Sequence, residues 1–246
     1  TLFRSSNLSR IMKTKLVIFG ITGDLSRRKL LPALRKIVAS GAAKELQIIG
    51  ISRQEVDIRA LAGAELAKMT KLVTMDLAER AAYTALKRRI SPRKGGQTLI
   101  YLSVPPTAAT RIANYLGEAG INGKSVRLLF EKPFGLDLES AKEMVERTSD
   151  YFSEAQMYRI DHYLAKEMAQ NIVAFRANNA IFRQLWGGNG IERIEIRAFE
   201  AIGIAGRAQF YEQTGALRDV LQGHLMQLLA LVLMDVPSRL DWSLVP

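Results

Sequence analysis

The sequence has no cysteine and only two histidines. The first absence excludes disulfides and thiolate metal ligation, and the second leaves too few imidazoles for a structural zinc site. Long apolar runs are missing as well: the longest strongly apolar stretch, Leu228 to Met234, falls far short of the roughly 20 residues that cross a bilayer. Aromatic residues are 7% of the chain and do not interleave with basic ones, which argues against a stacking surface for single-stranded nucleic acid. These absences lead us to expect a soluble, cytoplasmic protein without membrane, nucleic-acid or metal partners.

What is present is enough for a sizeable core in one or two domains: 246 residues, 48% of them hydrophobic. The net charge of +11 is uneven, with eleven Lys or Arg against two Asp or Glu in residues 1–53. An anionic cofactor docking on the N-terminal half accounts for that asymmetry, and nucleic acid is the competing reading of so basic a chain. Residues 1–12 are basic, Ser-rich and free of acid. They resemble a short transit peptide, but Met12, just ahead of a strand, reads as a start preceded by a leftover N-terminal extension.

From Lys15 onward, strands alternate with helices. Leu16-Val17-Ile18-Phe19 is a continuous apolar run, the pattern of a strand buried on both faces of a parallel sheet. A glycine turn and a helical run through Leu30, Leu31, Leu34 and Val38 follow, with a kink or restart expected at Pro32. Leu46 to Ile51 is a second buried strand. Residues 54–97 read as mostly helical, with Asp76 as a helix cap. Strands then follow at Thr98 to Val104, Val126 to Glu131 and Gln156 to Ile160, with helices at 110–116 and 138–152 between them. That rhythm predicts an α/β fold, a doubly wound Rossmann-like parallel sheet over residues 13–160. After Phe182 the rhythm changes. Ile194, Ile196 and Ala198 alternate with Glu195, Arg197 and Phe199, as in a half-exposed antiparallel strand, and residues 215–235 form an apolar helix with Leu217, Leu221, His224, Leu225 and Leu228 on one face. Residues 161–246 therefore read as the start of a second domain, a partial substrate-binding and catalytic α+β unit.

Five places carry possible chemistry. The turn Gly20-Ile21-Thr22-Gly23-Asp24-Leu25-Ser26 joins the first strand to the first helix, where a dinucleotide pyrophosphate needs close backbone approach and free N–H groups. A plain βα turn is the bland alternative. The second strand ends at Arg53 rather than at an acidic residue, which with Arg27 and Arg28 suits a 2′-phosphate and favours NADP over NAD, unless Arg53 is only a solvated loop residue. Glu131-Lys132-Pro133 closes another strand; proline restricts Lys132 to an extended conformation that aims its side chain at the crevice, and a cis bond fits there. Asp161, His162 and Lys166 follow the last strand, with the latter two spaced i, i+4 for one helix face and a shared phosphate. The ordinary alternative makes Asp161 a helix cap, His162 a buried ring and Lys166 a solvated head. His224 lies on an apolar helix face, where histidines are usually core residues; packed over Asp161 it becomes a general base.

Taken together, these stretches resemble the glucose-6-phosphate dehydrogenases. The resemblance is carried by Gly20-Ile21-Thr22-Gly23-Asp24-Leu25 with Arg28-Lys29-Leu30, by Glu131-Lys132-Pro133-Phe134-Gly135, by Arg159-Ile160-Asp161-His162-Tyr163-Leu164 with Lys166-Glu167, by Gly206-Arg207, and by Arg218-Asp219-Val220 leading to His224-Leu225 and Gln227, in the family's order over residues 15–236. It implies oxidation of glucose 6-phosphate at C1 to the 6-phosphogluconolactone, the first oxidative step of the pentose phosphate pathway, with NADP as cofactor. By matching positions it implies His224 as general base and Asp161 as its orienting carboxylate. His162, Tyr163 and Lys166 would hold the sugar phosphate, Glu200 and Asp219 the sugar hydroxyls. Lys132 would lie between substrate and cofactor, with Gly20, Gly23, Asp24 and Leu25 as the cofactor turn and Arg53 on the 2′-phosphate. The family forms homo-oligomers, and its interface region corresponds to sequence beyond Pro246, so the chain reads as C-terminally incomplete. It departs from the family in a shorter segment between Arg53 and Thr98, in Ala205 where a glutamate is usual, and in Gly223 where an asparagine is usual. Glycine in mid-helix costs about 1 kcal/mol against alanine, which predicts looser support for the base. The alternatives are a catalytically incomplete dinucleotide-binding module, and another NADP-dependent sugar oxidoreductase of the glucose-fructose oxidoreductase type, against which the Arg159 to Leu164 run speaks.

Overall fold

The computed structural model describes residues 13–135, 137–183, 185–199 and 208–236. The chain divides into two compact units, the division falling between Ile160 and Asp161. The first is built on six strands: β1 (Thr14–Phe19), β2 (Leu46–Ser52), β3 (Thr70–Thr74), β4 (Gln97–Leu102), β5 (Val126–Glu131) and β6 (Met157–Ile160). They lie in the order β3-β2-β1-β4-β5-β6 with every pairing parallel. This is the doubly wound dinucleotide-binding order, in which the crossovers reverse direction between β1 and β4.

A parallel sheet survives in water only when helices cover both faces, and the alternation of buried residues divides here accordingly. Val17, Phe19, Ile49, Ile51, Ile100, Leu102, Leu128 and Phe130 turn to one face. There they meet α4 (Arg80–Ile90), α5 (Pro106–Glu118) and α6 (Leu138–Ser149) through Tyr83, Leu86, Ile112, Leu116 and Met144. Leu16, Ile18 and Ile48 turn to the other, against α1 (Leu31–Ala39), α2 (Ile58–Ala62) and α3 (Ala64–Met69) through Leu31, Leu34, Ala62 and Leu66. Alternate residues of each strand thus reach different cores, which makes the register a matter of burial and not of turn length.

Local chemistry sets most boundaries. The restart expected at Pro32 is present: Ser26–Leu30 winds with i→i+5 bonds, Leu31 N–H donates to Ser26 O, and α1 begins there with Pro32 in its first turn, where a missing N–H costs nothing. Asp137 begins α6 in a capping box with Ser140. Two expectations fail between Arg53 and Thr98. Thr70–Thr74 is an edge strand, β3, although its five residues carry too little apolar pattern to be read as one. Asp76 does not cap a helix: its carboxylate accepts the N–H of Ala78 in a turn, and α4 starts only at Arg80, with Glu79 as its uncapped N-cap.

The second unit holds α7 (Glu167–Asn178), α8 (Ala180–Arg183), α9 (Ala208–Ala216), an i→i+5 helical segment over Leu217–Leu225, and α10 (Met226–Leu233). Helix α9 breaks at Gly215, whose φ is +66°. Residues 193–199 carry no regular structure and no strand pairing among the described residues, so the strand expected from Ile194, Ile196 and Ala198 is absent there. Alternation makes a strand only where a neighbour takes up the backbone N–H and C=O groups. Thr214–Leu233 spans 20 residues and is long and apolar enough to cross a membrane by length and composition. Within the second unit it is covered only in part: Leu228 and Leu231 are buried against Ala169, Val173 and Tyr163, while Leu217, Leu221, Met226 and Leu233 are exposed.

The contact between α5 and the residues after α6 is tight enough to test. A Cβ at Gly117 would lie 2.1 Å from Tyr151 Cγ and 2.4 Å from Tyr151 Cβ, atoms of the stem of the ring and not its free end. Alanine gains about 1 kcal/mol of helix propensity, but overpacking of this kind costs about 1–3 kcal/mol. Gly117→Ala should therefore lower the urea midpoint of the first unit at an unchanged m-value; an equal or higher midpoint would show that the ring swings clear at no cost.

Candidate active site

The first candidate surface is the edge formed by the carboxyl ends of the strands. β1 runs into Gly20, whose φ of +77° favours glycine and whose absent Cβ would otherwise lie 2.3 Å from the Ser103 carbonyl oxygen. Gly23 N–H then donates to Gly20 O (2.9 Å) and Arg27 N–H to Gly23 O (3.0 Å), which turns the chain into the helix. Ser26 stands where a third glycine is common, and its fully buried hydroxyl donates to Gly20 O (2.9 Å) and lies 3.1 Å from Ser103 Oγ. That side chain therefore braces the turn instead of merely keeping the space small. Asp24 and Leu25 open the helix at its exposed side, Asp24 paired with Arg28 at 2.7 Å. Arg53 follows the end of β2 and is exposed, as are Arg27 and Arg28. A turn with no room for a Cβ, followed by a helix start and three exposed arginines, fits an anionic dinucleotide.

Farther along the same edge, Tyr101 on β4 donates its phenol to Glu131 Oε1 at the end of β5. Register places Tyr101 opposite Leu129, so Glu131 projects from the same face two residues on. Burial first, and the Glu131 carboxylate next, hold the Tyr101 hydroxyl well above the ordinary phenol range, which keeps it a donor. The Lys132–Pro133 bond that follows is cis. Sequence reading missed Tyr101; the signal was its position one residue inside a strand that stops at Pro105-Pro106.

The second candidate surface lies within the second unit and is built from two stretches far apart in sequence. Directly after β6, Asp161 Oδ1 accepts the N–H of Tyr163 (2.9 Å), and Lys166 N–H donates to Tyr163 O (3.1 Å). The chain is therefore a turn from 162 to 165, and α7 starts at Glu167 with Lys166 as its N-cap. This corrects two expectations: Asp161 caps a turn and no helix, and His162 and Lys166 do not share a helix face. The turn gathers them by another route. The His162 ring stands edge-on to those of Tyr163 and His224, each at 4.9 Å between centroids, and Lys166 Nζ lies 3.5 Å from the Tyr163 centroid.

His224 arrives on the i→i+5 segment, and Asp219 lies half-buried on that same segment. Its Nδ1 is 3.8 Å from Asp161 Oδ1, with the two side chains 12% and 7% exposed. That separation is longer than a hydrogen bond. With Nδ1 toward the carboxylate, Nε2 is the nitrogen that can take a proton. Its ring is stacked on Tyr163 at 3.8 Å and 15°. The helix carrying it is fixed by three ties besides the apolar seam: from α7, Arg176 donates to Leu231 O (2.6 Å) and Met234 O (2.7 Å), and from beyond α8, Trp186 Nε1 donates to Val232 O (2.9 Å).

Asp161, His162, Tyr163, Lys166 and His224 are thus brought together, while Gly20, Gly23, Asp24, Leu25, Arg53 and Lys132 belong to the edge of the first unit. Glu200, Ala205, Gly206 and Arg207, along with residues 1–12, lie outside the described residues. Among the described residues no group of three or more His, Asp or Glu could hold a metal ion.

Two family models match the chain: the NAD binding domain of glucose-6-phosphate dehydrogenase, over residues 17–64 and 60–171, and its C-terminal domain, over residues 173–245. The chain is 36% identical to the glucose-6-phosphate 1-dehydrogenase of Zymomonas mobilis, covering 92% of this chain and 51% of that protein. With the Bacillus subtilis protein of the same name it shares 34% identity over 93% of this chain and 51% of that one. A solved glucose-6-phosphate dehydrogenase in complex with its substrate glucose-6-phosphate superposes with a TM-score of 0.82 at 29% identity, over 94% of this chain and 53% of that one. Glucose-6-phosphate 1-dehydrogenase from Mycobacterium avium gives 0.81 at 32% identity, over 93% and 54%. The chain spans about half the length of the relatives it matches. It belongs to the glucose-6-phosphate dehydrogenase family.

Proposed function

We propose that this chain carries the cofactor turn and the acid–base centre for NADP-dependent oxidation of glucose 6-phosphate at C1 to the lactone. The single observation that supports it most is the assembly of His224 with Asp161 in a buried pair, beside His162, Tyr163 and Lys166. His224 Nε2 accepts the C1 hydroxyl proton, and Asp161 stabilises the imidazolium that results and fixes its orientation. His162, Tyr163 and Lys166 grip the phosphate as donors, the ammonium supplying the charge, and Asp219 and Glu200 hold sugar hydroxyls. Gly20, Gly23, Asp24 and Leu25 receive the cofactor's pyrophosphate, Arg53 its 2′-phosphate, and Lys132 serves beside both ligands. The nicotinamide, when bound, takes the hydride that leaves C1. Because the chain covers 51% of its relatives, a second reading stands: a dinucleotide-binding module whose sugar site is incomplete without further sequence.

NADPH absorbance with glucose 6-phosphate and NADP⁺, beside a no-sugar control, separates the two. Turnover is expected, faster with NADP⁺ than with NAD⁺; a flat trace with a cofactor that still binds would establish the module. In an active chain His224→Asn should lower kcat by about 10²–10⁴ with little change in sugar affinity, whereas a collapse of affinity alone would make His224 a binding residue.

Lys166→Ala removes a charge-assisted contact worth about 1.5–3 kcal/mol. The sugar phosphate's KM should rise at least tenfold with a smaller change in kcat, and an unaltered KM would take Lys166 out of the phosphate site.

A further inference from the structure

Tyr163 makes two kinds of contact at once. Its hydroxyl is what a phosphate ligand would use, but its ring face is occupied independently of that hydroxyl. The imidazole of His224 lies nearly parallel to it, 3.8 Å between centroids at 15°, and Lys166 Nζ lies 3.5 Å from the same centroid. Two groups so close to one centroid cannot share a face, because the imidazole already covers its own. The three side chains therefore form a stack: ammonium, phenol ring, imidazole. The phenol ring is itself 7% exposed, set in the apolar seam with Ala169, Val173, Leu228 and Leu231, so it is a fixed surface.

From this we infer that Tyr163 is the positioning residue for His224, acting through its ring and not its hydroxyl. A histidine side chain has a broad, soft second torsion, and a parallel ring 3.8 Å away confines the imidazole to one plane. The same π face attracts the imidazolium formed once a proton has been taken. Lys166 covers the opposite face and competes for that quadrupole. When Lys166 turns to a sugar phosphate, the ring is left to the imidazolium alone. Phosphate capture at one end of the stack thus favours the charged base at the other.

This inference rests on His224 being the base, and the test keeps the two apart. Tyr163→Phe keeps the ring and removes the hydroxyl; Tyr163→Leu removes both. With glucose 6-phosphate, the phenylalanine variant should raise KM and keep kcat close to the parent, while the leucine variant should lose kcat about 10–100-fold, the cost of a misplaced catalytic group. Because the chain has two histidines, its imidazole NMR spectrum contains two ring systems, assigned with His224→Asn. The His224 ring protons should keep their ring-current shift in Tyr163→Phe and lose it in Tyr163→Leu. Should the leucine variant not fold, Tyr163→Met fills similar volume without a ring and is held to the same outcomes. Equal kcat loss in both variants, or a ring-less variant that keeps kcat and the His224 signal, overturns the inference. If the parent chain oxidises no sugar, the reading of His224 as base fails by that result, and the NMR arm alone decides whether the ring holds the imidazole.

Discussion

The parallel register of the sheet is the constraint from which most else follows. The inner strands of a parallel sheet must be buried on both faces, so β1, β2, β4 and β5 each carry an apolar run through their middles, and helices must bring the chain back each time. All the carboxyl ends then fall on one edge. The residues that break the apolar pattern sit there: Gly20 and Ser26 after β1, Arg53 after β2, Ser103 after β4, Glu131 and Lys132 at the end of β5. None of them belongs to a strand interior, and each is free to take a conformation or a charge that the sheet itself would reject. The hydrogen bonds of Ser26 to Gly20 and Ser103 tie the turns after β1 and β4 to one another, at the point where the winding reverses and ligand crevices open in such sheets.

In the second unit the corresponding constraint is the seam between α7 and α10. Leu228 and Leu231 bury against Ala169 and Val173, and two side chains of the opposing stretch, Arg176 and Trp186, bind carbonyls at the carboxyl end of α10. A cation at that end is favoured by the helix dipole as well as by its hydrogen bonds. This fixes the helix axis, and with it the place where His224 reaches Asp161. His224 is thus placed by the packing of the helix that follows it and by the Tyr163 ring stacked on it, with the Asp161 carboxylate at a longer range.

Much of this was legible in the sequence because it depends on local pattern. Short runs rich in apolar residues marked five of the strands, the glycine turn followed from its place after the first of them, and the return of leucines at helical spacing marked the helix through His224. What escaped depends on partners distant in the chain or on small energies. Thr70–Thr74 is a strand because β2 offers it an edge, with no alternation of its own strong enough to announce it. Residues 193–199 have the alternation and lack a paired edge among the described residues. Asp161 prefers a turn bond to Tyr163, which moves the start of α7 five residues onward and dissolves the expected i, i+4 pair; the same turn places the Tyr163 ring against His224. Tyr101 and Glu131 meet only because register sets them on one face.

Gly223 shows how the energetics change once the local geometry is known. In a regular α-helix this glycine is a cost of about 1 kcal/mol next to His224. The segment Leu217–Leu225 is not regular, however, and in its i→i+5 ladder a Cβ at 223 would lie 3.1 Å from the Arg218 carbonyl oxygen, five residues back. That approach is closer than side chains normally tolerate, so a larger residue would press the wider turn back toward ordinary α-helical winding. The turn matters because 3.6 residues per turn puts residues five apart about 140° from each other around the axis, whereas a wider turn carries them toward one face. Asp219 and His224 are five apart. Glycine at 223 is thus compatible with a helix wound to bring a carboxylate and an imidazole to the same side, and the rigidity it forgoes in propensity is supplied by Tyr163, Arg176 and Trp186.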